Sequence, residues 1–167
     1  YATGQGAHTE GLYTTASGAG SHAEGMYTTI SVSDHGVTST KNIGSCASGE
    51  GSHDEGGATT ASGKRSHTEG EATFAQGNNS HAEGQNTAAP GNNSHAEGKS
   101  TAAPGNNSHA EGQRVTALGT NSHAEGQGAG ARSDNSHAEG ISTTATYIDA
   151  KNQYDIAQHA EGYKTYA

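Results

Sequence analysis

The 167-residue chain has no Trp, one Phe (Phe74), one Cys (Cys46), one Met and two Pro. Large aliphatic residues are also scarce, so no conventional core of interlocking apolar side chains can form. A single cysteine excludes an internal disulfide. Lys and Arg number 8 against 17 Asp and Glu, giving a formal charge of −9 with no basic cluster, which argues against a general nucleic-acid role. No apolar run is long enough for a membrane span. The chain opens at Tyr1 without a signal-peptide pattern and reads as an excerpt or a processed form. Gly, by contrast, is abundant, with 26 residues. Composition alone would favour disorder.

Periodicity overrules composition. His81, His95, His109 and His123 recur every fourteen residues within NNSHAEGQNTAAPG and its near copies. His8 and His22 are one period apart, and His53, His67 and His137 share the frame. Each unit divides into Ser-His-Ala-Glu-Gly plus two residues, then Thr-x-Ala-x-Gly plus two residues. Both halves have the form small-x-small-x-Gly. Alternation at period two signals a strand, and Gly at every seventh residue, often followed by Asn, signals a turn. The expected fold is therefore all-β: a parallel β-solenoid with two strands per coil, each of about four or five residues. Stacked coils share backbone ladders, which is how a chain without a large core can order itself.

The small positions must face inward. Ser80, Ala82, Thr87 and Ala89 fill a very thin interior, where each hydroxyl needs a hydrogen-bond partner. The x positions then face outward. On the second strand they vary freely, as in Phe74 and Gln76 against Ala88 and Pro90. Pro90 and Pro104 lack a ladder donor and belong at a strand end. On the first strand the x positions are held to one pair: His8 and Glu10, His22 and Glu24, His53 and Glu55, His67 and Glu69, His81 and Glu83, His95 and Glu97, His109 and Glu111, His123 and Glu125, His137 and Glu139, His159 and Glu161. A turn glycine follows each pair: Gly11, Gly25, Gly56, Gly70, Gly84, Gly98, Gly112, Gly126, Gly140 and Gly162.

The frame is interrupted twice. Between His22 and His53 the count favours one extra, register-shifted coil, with Ser39 and Lys41 in place of His and Glu and a loop insertion near 32–37. The alternative is a β-hairpin, Ile30 to Ser33 against Val37 to Thr40. A second loop insertion near 147–156 precedes the last motif, and deleting Ile148 to Asp155 should leave the coils intact. The whole of 1–167 reads as one repeat domain.

The motif resembles the YadA-like head repeat of trimeric autotransporter adhesins, Ser-Val-Ala-Ile-Gly followed by x-x-x-x-Ala-x-Gly. Ser80, Ala82 and Gly84 match its first half, and Ala89 and Gly91 its second. Similar Ser-His-Ala-Glu-Gly repeats occur in Gram-positive and phage surface or tail proteins. The resemblance covers nearly the whole chain. It implies a left-handed β-roll in a side-by-side homotrimer, and an extracellular, cell-surface or virion-tail location. It also places His and Glu where the adhesins carry Val and Ile at the trimer contact, so that the interface becomes a polar ladder in which His of one chain donates to Glu of the next.

The expected function is a non-enzymatic structural and adhesive module, a stiff rod without cofactor. The second reading is a receptor- or glycan-binding head that uses the outer strand and the loops. A metal site of His side chains around the trimer axis is a further alternative. His-Ala-Glu is half of a zinc deaminase signature whose Pro-Cys-x-x-Cys half is missing, and ten copies of one pair do not describe a single active site. The Thr pairs that would suggest ice binding give way to Ala88 and Ala102 in the middle coils. Two outcomes are open for pH. Imidazolium paired with Glu gives greatest stability between roughly pH 5 and 7, whereas a neutral imidazole ladder moves the optimum above about 7.

Overall fold

The computed structural model describes residues 1–26, 28–34, 37–146 and 158–167, with 28–34 and 37–43 as backbone only. It is all-β. Ten parallel strands form one sheet, beginning with His8–Gly11 and ending with His159–Tyr163, and His aligns with His and Glu with Glu at every step. The second strand of each coil joins a second set of parallel ladders. Fourteen residues make one turn of the solenoid, as the spacing predicts. Among the described residues no helix is long and apolar enough to cross a membrane.

The interior is built from the small residues. Ala82, Ala89, Ala96, Ala103 and Ala110 are fully buried, and Ser80, Ser94 and Ser108 nearly so. Each of these serines donates its hydroxyl to the carbonyl three residues back, Ser80 Oγ to Gly77 O at 2.7 Å, which meets the cost of burying it. The threonines opposite do not all manage this. Thr73, Thr87, Thr101 and Thr143 are buried with Oγ1 unpartnered, and Val115 occupies the same coil position at 0% exposure. A buried hydroxyl without a hydrogen bond costs about 1–3 kcal/mol. Thr87→Val should therefore raise stability by about 1 kcal/mol in a thermal or urea melt. A loss of that size would show that the Thr87 hydroxyl is bonded after all.

The second strands are shorter than the alternation suggested. They span two residues, as in Ala88–Ala89 and Thr116–Ala117, because the chain must turn sharply on both sides. Asn86 at φ 56° and Asn93 at φ 54° take left-handed conformations there. In other coils the residue after this strand still donates to the next coil, Gln76 N to Ala89 O at 3.2 Å and Leu118 N to Ala131 O at 2.8 Å. Pro90 and Pro104 hold that position without an N–H, and there the ladder breaks into a five-stranded and a three-stranded sheet with Ala102 bridging between them.

The first interruption is the hairpin, not the extra coil. Thr28–Asp34 pairs antiparallel with Val37–Ile43, while His22 pairs directly with His53 and Thr15 with Cys46. Ser39 and Lys41 thus lie outside the His–Glu sheet, and every described coil carries its His–Glu pair. Ser45–Gly49 keeps its expected place as a second half, through the strand Cys46–Ala47. The 31 residues from His22 to His53 exceed one period by 17, the length of residues 27–43. Removing 27–43 should bring Gly44 into the left-handed corner position and leave a continuous solenoid, with a melting temperature within a few degrees of the parent. Collapse of the melt would mean that the hairpin supports the coils. The second insertion, 147–156, lies outside the described residues, but its flanks pair directly, His137 with His159.

Candidate functional site

The first strand's outward face carries two parallel columns. Because the coils stack in register, each imidazole lies over the next. Ring centroids from His22 to His123 are 4.7–4.9 Å apart with interplanar angles of 5–16°. The rings turn by 27–28° towards His159, and His8 meets His22 edge-on at 65°. The Glu column runs alongside. Strand alternation places His and Glu of one coil on the same side, two residues apart.

The pairs within a coil are close but not bonded. His81 Nε2 is 3.9 Å from Glu83 Oε2, His95 Nε2 3.9 Å from Glu97, and His53 Nε2 3.4 Å from Glu55. Among the described residues, a hydrogen bond within a pair is made only at the open end, His8 to Glu10 at 3.0 Å. The inner side chains are partly exposed, 33% for His81 and 42% for Glu83. Even so, Nε2 of His22, His53, His67, His81, His95, His109, His123 and His137 is sealed from solvent without a hydrogen-bond partner. Stacking hides the nitrogens, while the carboxylates beside them stay half open.

Electrostatics favour the neutral ring. Burial first, then the imidazoles of His67 and His95, hold His81 below the usual histidine pKa, against the opposing charges of Glu69 and Glu97. Burial, followed by His109 and His137, does the same for His123. A neutral ring has one N–H and one lone pair, so each coil contributes one imidazole donor and one imidazole acceptor.

Three groups bring ligand atoms within 4.8 Å of one another: His22, Glu24 and His53; His53, Glu55 and His67; His81, Glu83 and His95. Two metal–ligand bonds of about 2.1 Å can span the His–Glu gap within a coil. They cannot span two rings that lie parallel almost 5 Å apart, since the lone pairs lie in the ring planes and not between them. A shared cation therefore requires one ring to turn.

Two features were not foreseen from the sequence. Asp54 stands in the Ala column, fully buried, and accepts from Thr68 Oγ1 at 2.6 Å while its Oδ2 has no partner. Burial raises its carboxyl pKa above the ordinary range. The break of His-Ala-Glu to His-Asp-Glu was its signal. A column of amides also runs along one corner, Asn79 Nδ2 to Asn93 Oδ1 at 3.1 Å and onward through Asn107 and Asn121 to Asn135. Cys46 has its thiol pKa raised, by burial and then by Asp54, the opposite of what a reactive thiolate needs. No family model and no curated protein matches the chain.

Proposed function

We propose that this chain is a non-enzymatic structural and adhesive module: a stiff left-handed β-roll rod, three copies side by side, in a surface adhesin, extracellular fibre or phage tail fibre. One observation carries the reading. The partly exposed His–Glu face keeps the same two residue types in every described coil, while the outward positions of the other sheet vary from coil to coil. A face held to two residue types in coil after coil, with imidazoles and carboxylates partly open to solvent, points to a partner common to all of them. A second copy of the same face supplies one. Its coils repeat at the same spacing, and its carboxylates can accept from imidazole N–H at every level.

Native mass in solution is the test. A species near three times the 16.7 kDa chain is expected, and a monomer at micromolar concentration overturns the assembly. Small-angle scattering should report a rod, with coils adding about 4.8 Å each to a length of roughly 50 Å. The second reading, a receptor- or glycan-binding head, is favoured by one local feature of the varied outer face, described next. A glycan array on the whole chain tests it.

A further inference from the structure

The varied outer face is interrupted at one coil. Corner and strand positions that elsewhere carry Arg114 and Thr116, or Ser142 and Thr144, are Gly128 and Gly130. Removing two side chains from one level of a regular stack leaves a notch. It encloses about 290 Å³, at the small end of the range for ligand sites. Its floor is Gly128 to Gly130, with Arg132 of the same coil over Gly130, Arg114 and Thr116 on the coil before and Thr144 on the coil after. Arg132 and Thr144 also line a second depression of about 470 Å³ that contains Tyr166.

The charge here is out of keeping with the chain. Two of only three arginines border one notch in a protein of net charge −9. Neither has a carboxylate partner among the described residues, where the ion pair of Lys64 with Glu50 shows that surface cations can find one. The guanidine of Arg132 lies over Gly130, where an added Cβ would meet only Arg132 Nε at 3.6 Å.

We infer that the Gly128–Gly130 notch is a binding site for a carboxylated sugar residue. The two guanidiniums supply planar forks that match a carboxylate, which ammonium groups do not. Thr116 and Thr144 offer hydroxyls that both donate and accept, the complement of sugar hydroxyls. Leu118, 52% exposed, provides apolar surface for the C–H face of a pyranose. The site deepens the binding-head reading by naming its ligand class, and it is independent of whether the chain is single or triple.

The test is a chemical-shift titration of the intact chain with D-glucuronate. Amides of residues 116 and 128–130 should shift and saturate in the millimolar range, with D-glucose and acetate at least tenfold weaker. Gly130→Thr should abolish the response with both arginines still present. That residue is not in the left-handed region, and its ladder neighbours are Thr116 and Thr144, so the variant should melt like the parent. Arg114→Ala with Arg132→Ala should also abolish it, and Arg65→Ala should not. An unchanged titration in Gly130→Thr overturns the site, as does equal binding of glucose or acetate. The wider reading fails separately: if the chain binds no acidic glycan on an array, the binding head is lost, whereas array binding that survives Gly130→Thr removes this notch alone.

Discussion

Gly98→Val is expected to abolish cooperative folding. Gly98 has φ +108°, and a Cβ there would lie 2.2 Å from the carbonyl oxygen of Gly112 in the next coil. The obstacle is backbone in a hydrogen-bonded ladder, so it cannot rotate away as a side chain could. Left-handed strain for a β-branched residue adds to the clash. Together they should exceed about 4 kcal/mol, a large share of the roughly 5–15 kcal/mol stability of an ordinary domain. A solenoid is especially exposed to such a defect, because each coil is held only by its neighbours. Gly20 is the control. It too has positive φ, +64°, but nothing lies within 4 Å of its Cβ position, and Asn79 occupies the equivalent corner at φ 55°. Gly20→Asn should leave the melting temperature within a few degrees of the parent or raise it slightly. Circular dichroism melts of both variants decide the matter. Equal damage from both would show that positive φ alone, and not the close approach of the coils, makes Gly98 essential.

These two glycines also mark how far the sequence could be read. The fourteen-residue frame, the thin Ala, Ser and Thr interior and the constant His–Glu face follow from period and residue size alone. Left-handed corners at Ala58, Ala72 and Arg114 do not, since nothing in those residue types announces positive φ. The hairpin was misjudged because Thr38 to Asn42 has the same small, polar composition as a coil, and counting sevens cannot separate the two. Antiparallel pairing wins there because its partner strand is two residues away, so little chain entropy is lost in closing it. The hidden Nε2 atoms were out of reach for a different reason. Their burial comes from ring stacking between coils, a property of the assembled column and not of any one motif.

The largest pH effect should come from that column. His81 and His123 have folded pKa values held below their ordinary value, chiefly by burial and next by neighbouring imidazoles. The folded chain therefore takes up protons less readily than the unfolded one. Such a contribution is fully present above the unfolded value, about 6.5, and is lost as pH falls from there through the folded value. Of the two outcomes open from sequence, the structure favours the neutral ladder, with greatest stability above about pH 7. The slope is at most about 1.4 kcal/mol per pH unit for each of these two histidines, and less because both rings keep some contact with solvent. Asp54 works the other way, its raised pKa giving stability that is present below about 3.9 and lost as pH rises through the folded value. It is common to parent and variant and cancels between them. The comparison is with His81, His95 and His109 changed to Val, and Glu83, Glu97 and Glu111 to Ile. That chain should lose the contribution of His81 to the acid sensitivity and keep that of His123. Polar pairs at an interface can be exchanged for apolar packing, so if the face is the proposed contact between copies the variant should also keep the parent's native mass. If the face is open to water instead, six apolar side chains in one patch will drive aggregation, which the same mass measurement detects. Melting of both proteins from pH 4 to 9 completes the test: identical profiles would show that the acid sensitivity does not arise at His81.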